Sequence, residues 1–97
     1  MSGRVTVGVI GAGNISDEYL RNLGGYPDLD VVGIADLDLE RARAQAAKYD
    51  LRFAGSTAEL LARSDIELVV NLTTPAVHAD VAMAAIAAGK HVWGEKP

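Results

Sequence analysis

The residues best suited to chemistry form a glycine-rich turn near the start of the chain. The apolar run Val5–Ile10 leads into Gly11 and Gly13, and a helical pattern begins at Asn14. Gly11 permits a tight turn that a side chain would obstruct, and Gly13 lets the backbone approach a diphosphate. The unpaired N–H groups and the positive dipole end of the following helix would hold that diphosphate. The turn therefore predicts the anion-binding loop of a dinucleotide site.

An acidic residue at the expected distance supplies the second part of this pattern. Asp36 lies 25 residues after Gly11, where the second apolar run ends. A carboxylate there can accept hydrogen bonds from a ribose 2′-hydroxyl and would repel a 2′-phosphate, so NAD is predicted in preference to NADP. Arg41 and Arg43 are close enough to keep NADP open, although solvated helix residues are the simpler interpretation of both. A role for Asp36 as a helix-cap or turn residue also stays open.

The third position of the glycine pattern is Ser16 rather than glycine or alanine. This position faces the strand and must be small, because the helix and the strand pack closely there. A hydroxyl weakens the pattern but does not break it. The short pattern alone would fit any glycine-rich turn. The strand before it, the helix after it and the acid at the right spacing favour a dinucleotide loop.

Short apolar runs alternate with helical patterns along the whole chain, which predicts an α/β fold with a mostly parallel sheet. Right-handed crossovers then give a Rossmann-type doubly wound sheet of about five strands in the order 3-2-1-4-5. The predicted strands are Val5–Ile10, Asp30–Ala35, Arg52–Phe53, Ile66–Leu72 and His91–Trp93. Ligands of such sheets bind where the strand order reverses, between strands one and four. Three segments should meet there: Gly11–Ile15, Asp36–Asp38 and Asn71–His78.

Four helices are predicted between these strands. They are Asn14–Leu23, Leu39–Lys48, a short helix that ends at Arg63, and Pro75–Ala88. Asp38 suits the N-cap of the second helix, and Ser56 with Glu59 matches a reciprocal capping box before the third. The fourth helix is rich in alanine, which allows close approach to the sheet and needs no functional explanation.

Composition limits the classes of function. With 97 residues, the chain is one small domain or a piece of a larger one, and it has no cysteine for a disulfide, a thiol nucleophile or a metal site. Its net charge of -4 and its lack of a basic stripe make nucleic acid and anionic membrane improbable partners. His78 and His91 lack the spacing of a metal site. We expect a cytoplasmic protein, because neither a signal peptide nor a membrane-spanning run is evident.

Two motifs in the last third of the chain resemble one family closely. Asn71–His78 has the sequence N-L-T-T-P-A-V-H, and Ala88–Pro97 has the sequence A-G-K-H-V-W-G-E-K-P. With the glycine loop, they are similar to the cofactor domain of the glucose–fructose oxidoreductase, inositol dehydrogenase and rhizopine-catabolism family (Gfo/Idh/MocA). The resemblance covers essentially the whole chain. It implies an oxidoreductase that moves a hydride between NAD(P) and a hydroxyl-bearing carbon of a sugar, cyclitol or related compound.

The resemblance also implies roles for individual residues. The implied cofactor-binding residues are Gly11, Gly13, Asn14, Ile15, Asp36, Thr73, Thr74, Pro75, His78 and Glu95. Lys96 is the implied catalytic residue, standing beside the nicotinamide ribose and the substrate, and its bond to Pro97 is expected to be cis. A buried lysine there can hydrogen-bond the reacting hydroxyl. For His78, a purely structural role in the helix stays open.

Full-length members of that family carry a second, substrate-binding domain, which leaves these 97 residues as a partial NAD(P)-binding domain. The main hypothesis is therefore the cofactor part of a dehydrogenase, which alone would not turn over substrate. A standalone dinucleotide-binding or sensing module, and a structural fragment, are the alternatives. An exposed edge at strand five predicts a homodimer or a higher assembly.

Overall fold

The fold is a five-stranded parallel sheet covered by helices on both faces. The computed structural model describes residues 4–94. The strands are β1 (Val5–Ile10), β2 (Leu29–Ala35), β3 (Phe53–Gly55), β4 (Leu68–Asn71) and β5 (His91–Gly94). All neighbouring strands pair in parallel, and their order is β3-β2-β1-β4-β5. The predicted doubly wound Rossmann-type sheet is thus confirmed.

Four helices connect the strands: α1 (Asn14–Gly24), α2 (Leu39–Tyr49), α3 (Thr57–Leu61) and α4 (Pro75–Ala87). Helices α1 and α2 cover one face, where Leu20 and Ala46 pack with Val9. Helices α3 and α4 cover the other, where Leu60 and Ala85 join a second core. Within residues 4–94, no helix combines the length and the apolar character needed to cross a bilayer.

The central strand β1 shows why the sequence divides its core between two faces. Val7 and Val9 contribute to the α1–α2 core, while Ile10 contributes to the α3–α4 core. Successive side chains of a strand point to opposite faces, and both faces are covered in a doubly wound sheet. The buried part of this strand, residues 7–10, therefore carries no polar side chain. Gly8 packs under Leu60 and Ile66, and a Cβ atom there would require the ends of these side chains to shift.

Local capping signals define the starts of two helices. The carboxylate of Asp38 accepts from the backbone N–H groups of Glu40 and Arg41 at 3.1 and 3.3 Å. Ser56 and Glu59 form the reciprocal capping box, with bonds of 3.1 and 2.9 Å between side chain and backbone. Both predicted caps are confirmed. The pKa of Glu59 is lowered mainly because its carboxylate accepts a hydrogen bond from the backbone N–H of Ser56.

Several element boundaries differ from those predicted. Strand β4 begins at Leu68 instead of Ile66, because the Ile66 N–H belongs to a turn closed on Arg63. Helix α3 ends at Leu61 because the Arg63 N–H bonds the Leu60 carbonyl in a tighter turn. Strand β3 extends to Gly55, since its register with β2 continues that far. The first two ends are set by local turn hydrogen bonds and the third by pairing between strands, and the apolar pattern signals none of them.

Candidate dinucleotide-binding site

The glycine loop follows β1. The strand order reverses beside this strand, between β1 and β4. Gly11 has φ +111°, and a Cβ atom built on it would lie 2.9 Å from the carbonyl carbon and oxygen of Leu72. Its N–H donates to the carbonyl of Ala35 at 2.8 Å. Both the positive φ and the close backbone therefore require glycine here, as the sequence predicts.

Gly13 has a different role at the N-cap of α1. Its φ and ψ are −75° and −171°, a conformation open to any residue, and a Cβ atom on it would meet nothing within 4 Å. The space in front of the helix is therefore open. The first N–H groups of a helix have no partner within the helix, and the helix dipole favours an anion beside them. This is the cradle that a diphosphate needs.

Asp36 closes β2 beside that loop and is hydrogen-bonded through both oxygens. Oδ2 accepts from the N–H of Ala12 at 2.6 Å, and Oδ1 accepts from the N–H of Asp38 at 2.8 Å. The carboxylate thus ties the glycine loop to the β2–α2 turn. Each oxygen retains a further lone pair, so Asp36 can still accept hydrogen bonds from a ribose.

A cleft of about 430 Å³ opens at the carboxyl ends of these strands. It is lined by Ile10, Gly11, Gly13, Asp36, Leu37, Arg41, Thr57, Leu72, Thr73, Thr74, Val77 and Val81. The three segments that were expected to converge therefore do meet at one cleft. Arg41 is an exposed residue of this lining, and its Nε lies 3.9 Å from Oδ2 of Asp38. Leu37 is 94% exposed, which leaves an apolar side chain at the cleft for a base to cover.

Asn71, the last residue of β4, organises the far wall of the cleft. It is fully buried, and its Oδ1 accepts from the N–H and the hydroxyl of Thr73 at 3.2 and 2.6 Å. Its Nδ2 donates to the carbonyl of His78 at 2.9 Å. The side chain therefore fixes both the β4–α4 turn and the first turn of α4. No role for Asn71 was predicted from the sequence, although an amide that ends an apolar strand is a usable signal.

The other predicted site residues lie in several places. Thr73 and Thr74 line the cleft, and Pro75 is the first residue of α4. His78 is not part of the lining: its Nε2 is buried, lies 2.8 Å from the position that a Cβ atom on Gly94 would take, and bonds no group within residues 4–94.

At the opposite wall, Asn14 is the first residue of α1, and Ile15 is 44% exposed in its first turn. Glu95, Lys96 and the Lys96–Pro97 peptide bond lie outside the described residues. Over the described range, no three acidic, histidine or cysteine side chains gather as they would around a metal ion.

A hydrogen-bonded network behind α1 was not predicted from the sequence. Ser16 is fully buried, donates to the Gly13 carbonyl at 2.6 Å and accepts from Gln45 at 2.8 Å. Asp17 accepts from Lys48 and Tyr49 at 2.8 and 2.7 Å. These two hydrogen bonds hold the pKa of Asp17 far below its usual range, and the one from Lys48 has the larger effect. The same contact raises the pKa of Lys48.

Known proteins are similar in sequence to this chain along nearly its full length. A family described as an oxidoreductase family with an NAD-binding Rossmann fold, Gfo/Idh/MocA, matches residues 5–97. Inositol 2-dehydrogenase 3 of Saccharopolyspora erythraea is 35% identical over 94 residues, which are 96% of this chain and 28% of that protein. The 4-carboxy-2-hydroxymuconate-6-semialdehyde dehydrogenase of a Sphingobium strain is 35% identical over 92 residues, or 94% of this chain and 29% of that enzyme.

Solved structures share the fold. KijD10, a 3-ketoreductase from Actinomadura kijaniata crystallised with NADP, has a TM-score of 0.88 and 33% identity, covering 97% of this chain and 30% of its own. GenD2 from gentamicin A biosynthesis, crystallised with NAD, also has a TM-score of 0.88, with 31% identity and coverage of 97% and 27%. This chain thus spans less than a third of the proteins that it matches. It belongs to the Gfo/Idh/MocA oxidoreductase family, in which it forms the NAD-binding Rossmann domain.

Proposed function

We propose that this domain serves an enzyme that transfers a hydride between a nicotinamide cofactor and a hydroxyl-bearing carbon of a sugar, cyclitol or related substrate. The observation that carries the proposal is the open cradle at Gly13 beside the Asp36 carboxylate. Relatives that are named inositol 2-dehydrogenase and 3-ketoreductase support this substrate class. The chain spans under a third of their length, so residues outside this domain would supply most substrate contacts.

The residues present fit the adenosine and diphosphate parts of NAD. Gly11, Gly13, Asn14 and Ile15 would form the diphosphate loop, in which the Asn14 and Ile15 N–H groups begin α1. Asp36 would bind the adenosine ribose through its free lone pairs. The cofactor, when bound, supplies the nicotinamide carbon that accepts or gives the hydride. The domain itself binds and orients the cofactor.

The β4–α4 segment would carry the nicotinamide half. Thr73 and Thr74 offer hydroxyls at the cleft, held by the contact of Asn71 with Thr73. Pro75 and His78 follow in the first turns of α4. We assign Glu95 to the nicotinamide ribose, because it follows the end of β5 in the sequence.

Lys96 is proposed as the catalytic residue of this domain. Its ammonium group would hydrogen-bond the reacting hydroxyl and help move the proton that leaves as the hydride transfers. In a full-length enzyme that contains this domain and its substrate-binding part, we expect Lys96→Met to leave the Kd for NADH unchanged while it abolishes polyol-dependent reduction of NAD. The assay follows NADH formation with a panel of cyclitols and sugars. Equal turnover by the variant and the unchanged protein would contradict the role.

NAD is proposed as the preferred cofactor over NADP. The charge of Asp36 repels a 2′-phosphate, whereas Arg41 at the same cleft attracts one. We expect Asp36→Asn to weaken NADH binding by about tenfold and to raise the affinity for NADPH relative to NADH. Calorimetric titration with both cofactors measures this ratio. An unchanged ratio would assign cofactor preference to other residues. Arg43→Ala is the control, because Arg43 is not among the residues that line the cleft.

We also propose that two copies of the chain associate through β5. Within residues 4–94, β5 pairs with β4 along one edge only. Trp93 on this strand is 49% exposed, and Met83 and Ile86 of the neighbouring helix are 68% and 60% exposed. An unpaired strand edge with apolar neighbours favours pairing with another chain.

A further inference from the structure

The hydroxyl of Ser16 is the part of the glycine loop that close packing alone does not explain. A glycine or alanine at this position would pack α1 on the sheet equally well. Burying a hydroxyl costs free energy unless it is hydrogen-bonded. Ser16 is fully buried, and its Oγ both donates to the carbonyl of Gly13 and accepts from Nε2 of Gln45. The hydroxyl therefore links α2 to the loop.

The carbonyl that Ser16 holds determines the direction of a loop N–H group. The Gly13 carbonyl and the Asn14 N–H belong to one peptide unit, and in a trans peptide they point in opposite directions. The carbonyl is turned toward α1, where it also accepts from the Ser16 N–H at 3.0 Å. The Asn14 N–H must then point away from the helix, into the open space in front of Gly13.

Gln45 is itself held in place on α2. Its Nε2 donates to Oδ1 of Asp17 at 3.2 Å as well as to Ser16 at 2.8 Å. Oδ1 of Asp17 also accepts from Nζ of Lys48 at 2.8 Å, which holds the carboxylate beside α2. Both N–H groups of the Gln45 amide thus have acceptors, which fixes the amide orientation that Ser16 requires.

We propose that Gln45 is a positioning residue for the cofactor: acting through the Ser16 hydroxyl, it orients the Gly13–Asn14 peptide that binds the diphosphate. The proposal rests on the dinucleotide-binding function of the domain. Gln45 need not touch the cofactor, and it is absent from the cleft lining. A single neutral hydrogen bond in this position corresponds to a change in Kd of about fivefold.

A double-mutant cycle tests the proposal by calorimetric titration with NADH. Gln45→Leu and Ser16→Ala should each weaken binding by about fivefold, and the double variant should be no weaker than either. Gln45→Glu should resemble Gln45→Leu, because a carboxylate cannot donate to Ser16. The backbone amide NMR signal of Asn14 should shift in every one of these variants.

Tyr49→Phe is the matched control for a purely structural effect. It removes a donor to Asp17 from the same helix–helix network without touching Ser16. It should lower Tm and leave both the NADH Kd and the Asn14 amide signal unchanged. A Gln45→Leu variant that lowers Tm with an unchanged Kd would overturn the proposal. A double variant whose fold change in Kd equals the product of the two single fold changes would also overturn it. Absence of NADH binding by the unchanged protein would instead overturn the dinucleotide function, and the proposal with it.

Discussion

The two glycines of the loop serve separate purposes. Gly11 occupies the left-handed region of backbone space and lies against the main chain of Leu72. Gly13 has an ordinary backbone conformation and faces open space. Gly11 is therefore required by the fold, whereas the backbone at Gly13 would accept other residues, and we propose that glycine serves there to admit the diphosphate.

Replacement of Gly11 tests the first half of this distinction. Gly11→Ala places a Cβ atom at a positive φ and against the Leu72 carbonyl. We expect the free energy of unfolding to fall by about 2 kcal/mol or more, since a non-glycine residue in such a conformation costs 1–3 kcal/mol. Urea denaturation measures the change.

Gly24→Ala is the matched control for that measurement. Gly24 lies at the end of α1, and a Cβ atom there meets nothing within 4 Å. Alanine in a helix is more favourable than glycine by up to about 1 kcal/mol, so this variant should be as stable as the unchanged protein or more so. A Gly11→Ala variant of equal stability would show that the loop tolerates a side chain and would contradict our explanation.

The sequence predicts the site residues that act locally and misses those that act across the fold. Gly11, Gly13 and Asp36 follow from backbone requirements and spacing that any dinucleotide loop shares. Gln45 meets Ser16 across 29 residues of chain. Its partner depends on how α2 crosses α1, which periodicity does not encode. Asn71 is a local exception: its partners Thr73 and His78 lie two and seven residues away, and the amide at the end of an apolar strand is the signal that points to it.

At the scale of elements, the same division between local and distant causes appears. The caps at Asp38 and Ser56 were predictable, because the bonding partners lie within three residues. The start of β4 was not, because the turn between Arg63 and Ile66 that precedes it is also bound by a side chain distant in the sequence. Lys90, which is 9% exposed, donates to the carbonyls of Arg63 and Ile66 at 2.7 and 2.8 Å. This lysine of the A-G-K-H motif thus joins the turn before β4 to the turn before β5.

The exposed edge of β5 leads to a prediction at this scale. Trp93→Lys puts a charge beside the edge at which we propose that two copies pair, and charged side chains discourage edge-to-edge association. We expect the unchanged protein to sediment as a dimer at high concentration and the variant to sediment as a monomer. Analytical ultracentrifugation over a concentration series measures both.

Ala47→Lys provides the matched control, because it adds the same charge at an exposed position of α2. This helix packs on β2 and β3, at the opposite side of the sheet from β5. It should leave the association unchanged. A monomer at every concentration for the unchanged protein would remove the dimer from the account without affecting the cofactor site.

At the scale of the whole molecule, the chain is a cofactor-binding platform. Both helical layers pack on one sheet, and the glycine loop, Asp36 and the β4–α4 turn meet at the same end of it. A small domain buries a modest fraction of its surface and is only marginally stable. A ligand that binds only the folded state raises its stability by mass action. Cofactor binding and folding should therefore be coupled in this protein.

Titration of NADH into the unchanged protein and into Gly13→Ser tests the central claim most directly. Serine is a good N-cap, so the variant should be at least as stable as the unchanged protein. Its hydroxyl would occupy the N–H groups and the open space that the diphosphate needs. We predict saturable NADH binding to the unchanged protein, with an increase in Tm, and binding at least about tenfold weaker in the variant. No binding to the unchanged protein at millimolar NADH, or equal affinity in the two proteins, would contradict the account.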